Sequence, residues 1–289
     1  MREEPVELST AGGKLCGTLA TPARAGPWPV VMLIGGSGPT DRDGNSALAP
    51  AAIGPLRQLA AALAANGLAS LRYDKRGVGE SAHPSLREDD LRFRHLVDDA
   101  VALARPLRAD RRLGPLLLAG HSEGALIASL AAAEARAAAV VSIAGAGQKA
   151  SEVLRAQLQG KLPELLEAPA LAVLDVLAAE RLVDDPPDAL TLLFRPSLQP
   201  YLVSWFRYDP AEVVAGLELP LLLVHGTADQ QVPQRQVELL RAARPDARLL
   251  LVEGMDHLMA VDGSADAGAR LVAEAICGLA ADLQGSRAA

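Results

Sequence analysis

Gly120-His121-Ser122-Glu123-Gly124 places a serine between two glycines. The apolar run Leu116-Leu117-Leu118-Ala119 precedes it, and a helical pattern from Ala125 to Glu134 follows. A serine on a sharp strand-to-helix turn sits in strained backbone, and small neighbours let strand and helix approach closely there. The turn lifts the hydroxyl clear of the strand and sets it at a helix N-terminus, whose dipole favours negative charge. Ser122 is therefore the expected nucleophile.

A serine hydroxyl is a poor nucleophile until a base takes its proton. The chain has five histidines. His83 and His95 fall in or beside a charged stretch and read as solvated. His121 lies inside the turn and reads as structural. His225 ends an apolar run and reads as packing. His257 sits in the loop Glu253-Gly254-Met255-Asp256-His257 after another apolar run, and is the expected base. The base needs a carboxylate to fix its tautomer and stabilise the imidazolium. Asp229, in Gly226-Thr227-Ala228-Asp229, follows a strand whose end would aim it at the site. Asp256 adjoins His257, where ring-to-carboxylate geometry is poor. Asp229 is the expected acid.

Acyl transfer also needs two backbone N–H groups aimed at the developing oxyanion. Glu123, after the nucleophile, supplies one. The loop Gly35-Gly36-Ser37-Gly38-Pro39 supplies the other, with Ser37 preferred and Gly36 next. These glycines are not a phosphate cradle: no GK[ST] follows Gly35, and Gly145-Ala146-Gly147 lacks the third glycine of a dinucleotide fingerprint.

Such residues must be held by a scaffold. Val30 to Ile34, Ala69 to Tyr73, Leu116 to Ala119, Ala138 to Ala144, Pro220 to His225 and Leu249 to Glu253 read as strands. Between them, Leu56 to Leu63 reads as a helix, and Phe93, Val97, Ala100, Val101 and Ala104 share one helical face. A last helix from about Ala265 to Leu283 carries Leu271, Val272, Ala275, Ile276, Leu279 and Leu283 on one face, with a frayed tail after it. Apolar strands alternating with amphipathic helices predict an α/β fold: a mostly parallel sheet covered on both faces. Residues 6–9 and 14–20 predict an antiparallel edge hairpin through Gly12-Gly13.

Residues 148–210 break the alternation. Leu154, Leu158, Leu162 and Leu165 fall at helical spacing, prolines recur, and no strand is evident. The expected organisation is a core of 1–147 and 211–289 with a helical cap of 148–210. Of three Phe, three Tyr and two Trp, five crowd into this segment: Phe194, Tyr201, Trp205, Phe206 and Tyr208. They either pack the cap onto the core or line a pocket, with Trp205 the preferred substrate contact.

At 289 residues, folding buries about three quarters of the unfolded chain's surface, so no metal or disulfide staple is required. Cys16 and Cys277 form no CxxC and no zinc spacing, and read as small hydrophobes in a reducing compartment. A net charge of −7 without basic blocks argues against nucleic acid as a partner. Acidic residues at positions 3 and 4 and no following apolar core argue against a signal peptide, and no run reaches a membrane span. A cytoplasmic protein is expected.

Several segments together resemble the α/β-hydrolase superfamily, from about residue 5 to 283. They are Gly35-Gly36-Ser37-Gly38 with Thr40-Asp41-Arg42-Asp43-Gly44-Asn45, then Tyr73-Asp74-Lys75-Arg76-Gly77-Val78-Gly79-Glu80-Ser81, the serine turn, His225-Gly226-Thr227-Ala228-Asp229 with Val232-Pro233, and Gly254-Met255-Asp256-His257. The order Ser122, Asp229, His257 is that superfamily's order. The first loop and Trp205-Phe206-Arg207-Tyr208-Asp209-Pro210 resemble a bacterial esterase-like or peptidase-like subgroup. Two departures stand out. Gly35-Gly36 replaces the His-Gly of many relatives, and Glu123 puts a carboxylate beside the serine. The resemblance implies a serine hydrolase without cofactor or metal. The apolar, aromatic cap favours an ester with an apolar acyl or aryl group as substrate. An aminopeptidase or thioesterase could use the same triad, and a catalytically silent binding protein could use the same scaffold.

Overall fold

The computed structural model describes residues 1–10, 13–47 and 52–288. Eight strands form one sheet: β1 (Arg2–Thr10), β2 (Gly13–Thr21), β3 (Trp28–Ile34), β4 (Ala69–Tyr73), β5 (Leu113–His121), β6 (Ala139–Ile143), β7 (Leu221–Gly226) and β8 (Arg248–Val252). Their spatial order is β1-β2-β4-β3-β5-β6-β7-β8. β1 pairs antiparallel with β2, and β2 antiparallel with β4; every later pair is parallel. The edge hairpin is thus present, with Gly12 of its expected turn lying outside the described residues.

The sequence pattern explains the layers. Every residue of β3, β4, β6 and β7 is buried, as parallel strands covered on both faces must be. β1 instead alternates exposed and half-buried positions, and β8 exposes Leu249 and Leu251; both are edges. Helices α1 (Pro55–Ala65) and α10 (Ala265–Ala288) pack on one face through Leu59, Leu63, Val272 and Ile276. On the other face lie α2 (Phe93–Ala109), α3 (Glu123–Ala131) and α9 (Arg235–Ala243), which bring Phe93, Val97, Ile127 and Val237 into the core. The expected face of α2 is buried throughout, from Phe93 to Ala104.

Between β6 and β7 lie α4 (Ala150–Leu158), α5 (Glu164–Ala178), α6 (Thr191–Phe194), α7 (Gln199–Phe206) and α8 (Pro210–Ala215), with no strand among the described residues. Apolar packing joins them to the sheet face that carries α2 and α3. Polar contacts fasten them as well. Ser204 Oγ accepts from Phe93 N at 2.8 Å, and Arg195 Nε donates to Glu88 Oε2 at 2.8 Å.

Three sequence readings change. α3 ends at Ala131 rather than Glu134, because the chain turns at Arg136, where φ is +49°. α10 continues to Ala288, past the expected end at Leu283 and the expected frayed tail from Gly285, while Ala289 lies outside the described residues. Leu271, assigned to its buried face, is 41% exposed. No helix among the described residues is long and apolar enough to cross a membrane. Cys16 is buried, Cys277 half-buried, and both are free.

Candidate active site

The site is built on the ends of β3, β5, β7 and β8. Ser122 stands between β5 and α3 with φ +54° and ψ −119°, a region that costs a non-glycine residue of order 1–3 kcal/mol. Its neighbours explain how the turn is held. A Cβ on Gly120 would lie 1.9 Å from Gly124 O, and one on Gly124 would lie 2.3 Å from Ile34 O. Both flanking glycines are therefore required by backbone contact, and they bring the turn against the end of β3. Ser122 N donates to Ile143 O at 2.9 Å, which ties the turn to β6 as well.

His257 and Asp229 meet on the loops after β8 and β7. His257 Nδ1 lies 2.8 Å from Asp229 Oδ2. The other carboxylate oxygen accepts from the amides of Gln231 (2.9 Å) and Val232 (2.8 Å). Burial works against the charge on Asp229. The hydrogen bond and charge of His257 and the two amides outweigh it, and hold the carboxyl below its ordinary range. An ionised carboxylate only accepts, so Nδ1 carries the proton and Nε2 of the neutral ring is left as a base.

His121 links this pair to the serine turn. Its Nε2 donates to His257 O at 2.7 Å, and the two rings lie 4.9 Å apart. Burial and the neighbouring His257 lower its pKa to about 4, which keeps it neutral and suits the structural reading. His225 is fully buried with Nε2 on Val232 O at 2.9 Å, also as expected. His83 is exposed. His95 departs from expectation: it is half-buried and lines a cavity instead of standing in solvent. Asp256 is exposed and caps its own loop, accepting from Leu258 N at 2.9 Å and Ala260 N at 2.8 Å.

The loop after β3 comes against the same turn. A Cβ on Gly36 would stand 3.4 Å from Ser122 Cβ and 3.3 Å from His121 Nδ1. Ser37, Ser122 and Glu123 line one cleft of about 80 Å³, together with Leu154 and Trp205. Ser37, Leu154 and Trp205 also line an adjoining cavity of about 800 Å³. Leu86, Leu96, Leu158 and Leu198 give that cavity an apolar wall. Trp205 has two contacts at once: its ring stacks on Phe93 with centroids 5.8 Å apart and planes parallel, and it faces both cavities. Phe194 and Phe206 are buried, and Phe194 also lines the larger cavity.

The Glu123 side chain does not project as a bare charge. It is buried, and its Oε2 accepts from Lys75 Nζ at 2.8 Å. Its Oε1 accepts from the Tyr201 hydroxyl. Burial and the adjacent Glu123 raise the Tyr201 pKa well above its ordinary value, so the hydroxyl stays a donor. Lys75 Nζ also donates to Gly36 O. The preceding residue, Asp74, accepts from Arg42 N at 2.7 Å and from Arg42 Nη2 at 2.6 Å. The two motifs read separately in the sequence thus interlock. Neither Lys75 nor the Tyr201 hydroxyl was assigned a role from sequence, since no local spacing joins them to Glu123.

Comparison with known proteins bears on the fold. Residues 52–193 match the family described as serine aminopeptidase, S33. Esterase EstD of Thermotoga maritima is 28% identical over 251 residues, which is 85% of this chain and 58% of that protein. Est1E from Butyrivibrio proteoclasticus, solved with ferulic acid bound, superposes with a TM-score of 0.66 at 18% identity, covering 97% of this chain and 99% of that one. The alpha/beta hydrolase GrgF from Penicillium sp. sh18 gives a TM-score of 0.64 at 19% identity, covering 98% of each chain. The chain has the α/β-hydrolase fold. Its eight-stranded, mostly parallel sheet is the one that the alternation of strands and helices predicts. The chain spans little more than half the length of its esterase relative.

Proposed function

We propose that this protein is a serine hydrolase that cleaves carboxylic esters with an apolar acyl or aryl group. One observation carries the reading. The 2.8 Å His257–Asp229 pair is tied by the 2.7 Å His121–His257 O bond to the residue before a serine held at φ +54° at the head of α3. In this reading Ser122 Oγ attacks the ester carbonyl carbon and its proton passes to His257 Nε2. The N–H groups of Ser37 and Glu123 hold the oxyanion. Collapse expels the alcohol, which takes the proton from His257. Water, deprotonated by the same nitrogen, then releases the acid and restores Ser122.

The inserted helices act as a cap, with the division between 148–210 and the rest as the boundary. The 800 Å³ cavity falls within the roughly 300–1,000 Å³ range of small-molecule sites and offers leucine-rich wall to an acyl chain. The similarity to an esterase supports the ester. The serine aminopeptidase match supports a second reading, an amide of a free amino acid. That substrate brings an ammonium group needing a free carboxylate. Among the described residues lining the cleft and the adjoining cavity, the acidic side chains are Glu123, Glu88 and Asp90, and each has a basic neighbour: Lys75, Arg195 and, at 3.9 Å, Arg87. Ester is therefore preferred.

The test uses p-nitrophenyl esters of graded chain length beside aminoacyl anilides, with a fluorophosphonate probe. Labelling at Ser122 and ester turnover above anilide turnover are expected. Labelling with anilides preferred transfers the reading to the aminopeptidase; no labelling marks a catalytically silent scaffold.

The cavity makes a second expectation specific. Trp205→Ala should lower kcat/KM by about 1–3 kcal/mol on an octanoate ester and much less on acetate, because a short acyl chain does not reach the ring. Loss of the Phe93 stack should also lower the melting temperature. Equal losses on both esters would assign Trp205 to packing alone.

A further inference from the structure

The oxyanion donors are held from behind by one buried cation. Lys75 Nζ, on a side chain only 5% exposed, contacts Glu123 and the peptide unit that carries the Ser37 N–H. It donates to the carbonyl of Gly36 and to the carboxylate of Glu123. The Gly36 carbonyl and the Ser37 N–H belong to one planar, trans peptide unit, so they point to opposite sides. A cation fixed on the carbonyl side turns that N–H away from itself and polarises it, as charge-assisted hydrogen bonds polarise their neighbours at low dielectric. The second bond anchors Glu123, whose own N–H is the other donor.

We propose that Lys75 is a positioning residue that presets both oxyanion donors, with Glu123 as its buried counter-ion. The inference rests on the serine-hydrolase reading above. Three further features support it. The lysine is held in place by the residue before it, because Asp74 clamps Arg42 of the same loop. A buried cation is tolerated only when paired, and Glu123, 1% exposed at its side chain, provides the pair. The remaining Glu123 oxygen is satisfied by Tyr201 from α7, so the charges are closed off from water. The departure from the superfamily pattern at position 123 thereby acquires a reason. The carboxylate does not face substrate; it permits a lysine to sit behind the oxyanion loop.

Removing an oxyanion donor outright costs about 10²–10³ in kcat, so loosening its support should cost about 10–100-fold. Lys75→Met alone strands the Glu123 charge and risks misfolding. The double variant Lys75→Met/Glu123→Gln removes both charges together and is the decisive one. It should fold, keep KM within about threefold, and lose about 10–100-fold in kcat on p-nitrophenyl butyrate. Its affinity for a trifluoromethyl ketone, whose adduct carries an oxyanion, should fall by the same factor. A role in packing alone would lower the melting temperature without this split. A folded double variant with kcat and ketone affinity within twofold of the parent overturns the proposal. If the parent is labelled by a fluorophosphonate and turns over esters, that failure concerns Lys75 only. If the parent does neither, the serine-hydrolase reading falls and this inference falls with it.

Discussion

Replacing Ser122 with alanine should lower ester turnover by about 10⁵–10⁶-fold, the scale on which removal of a serine nucleophile acts in other triads. The structure argues that this loss would be chemical. The Ser122 side chain caps no helix amide, and its backbone N–H, not its hydroxyl, makes the bond to Ile143 O. Alanine occupies the strained φ of +54° no worse than serine does, so the melting temperature should move by only a few degrees. The measurement is kcat on p-nitrophenyl butyrate beside a thermal melt. A folded alanine variant that keeps a tenth of parental activity would remove Ser122 from the mechanism.

Asp229→Asn should cost about 10⁴-fold, through the tautomer of His257. The hydrogen bonds dictate this. Asp229 Oδ1 accepts from two amides, Gln231 N and Val232 N, and an asparagine must keep its oxygen there. Its NH₂ then faces His257 Nδ1 in place of Oδ2. Nδ1 must become the acceptor, the ring proton moves to Nε2, and Nε2 can no longer take a proton from Ser122. Asp256→Asn provides the contrast. Its Oδ1 bonds to Leu258 N and Ala260 N survive in an amide, at a cost of about 1 kcal/mol, so activity should drop less than about tenfold. Assaying the two variants together decides the acid, and the reverse ranking would move it to Asp256.

What the sequence disclosed and what it withheld follow a physical division. β3 was legible because a strand buried on both faces must be apolar throughout, and five consecutive apolar residues ending at a glycine pair mark it. The serine turn was legible because its glycines answer a local steric demand, measured here at Gly120 and Gly124. The end of α3 was not legible, since an alanine-rich stretch carries no stop signal and the turn is made by Arg136 at positive φ. Gly285 suggested an end to α10 because glycine costs a helix about 1 kcal/mol, yet the helix runs through it. Lys75 and Glu123 are 48 residues apart, and Glu123 and Tyr201 are 78 apart. Only the assembled sheet and the helix packed over it bring those three together, so no periodicity could announce them. Trp205 shows a third case. Its clustering with other aromatics was visible, but its double contact, with Phe93 and with the cavities, needed α2 and α7 in place.

The five helices between β6 and β7 add no strand to the sheet, so β6 pairs with β7 in a register that their own sequence does not set. The segment can therefore diverge, lengthen or be grafted from a relative while the sheet beneath it stays in frame. Among the fastenings a chimaera would have to retain are the Ser204 hydroxyl for the first turn of α2, Arg195 for Glu88, and the Tyr201 hydroxyl for Glu123. The last of these is of a different kind, because it reaches the residue next to Ser122. On the proposed function, substrate range would be open to drift across most of the insertion, and tethered to the chemistry at one phenol.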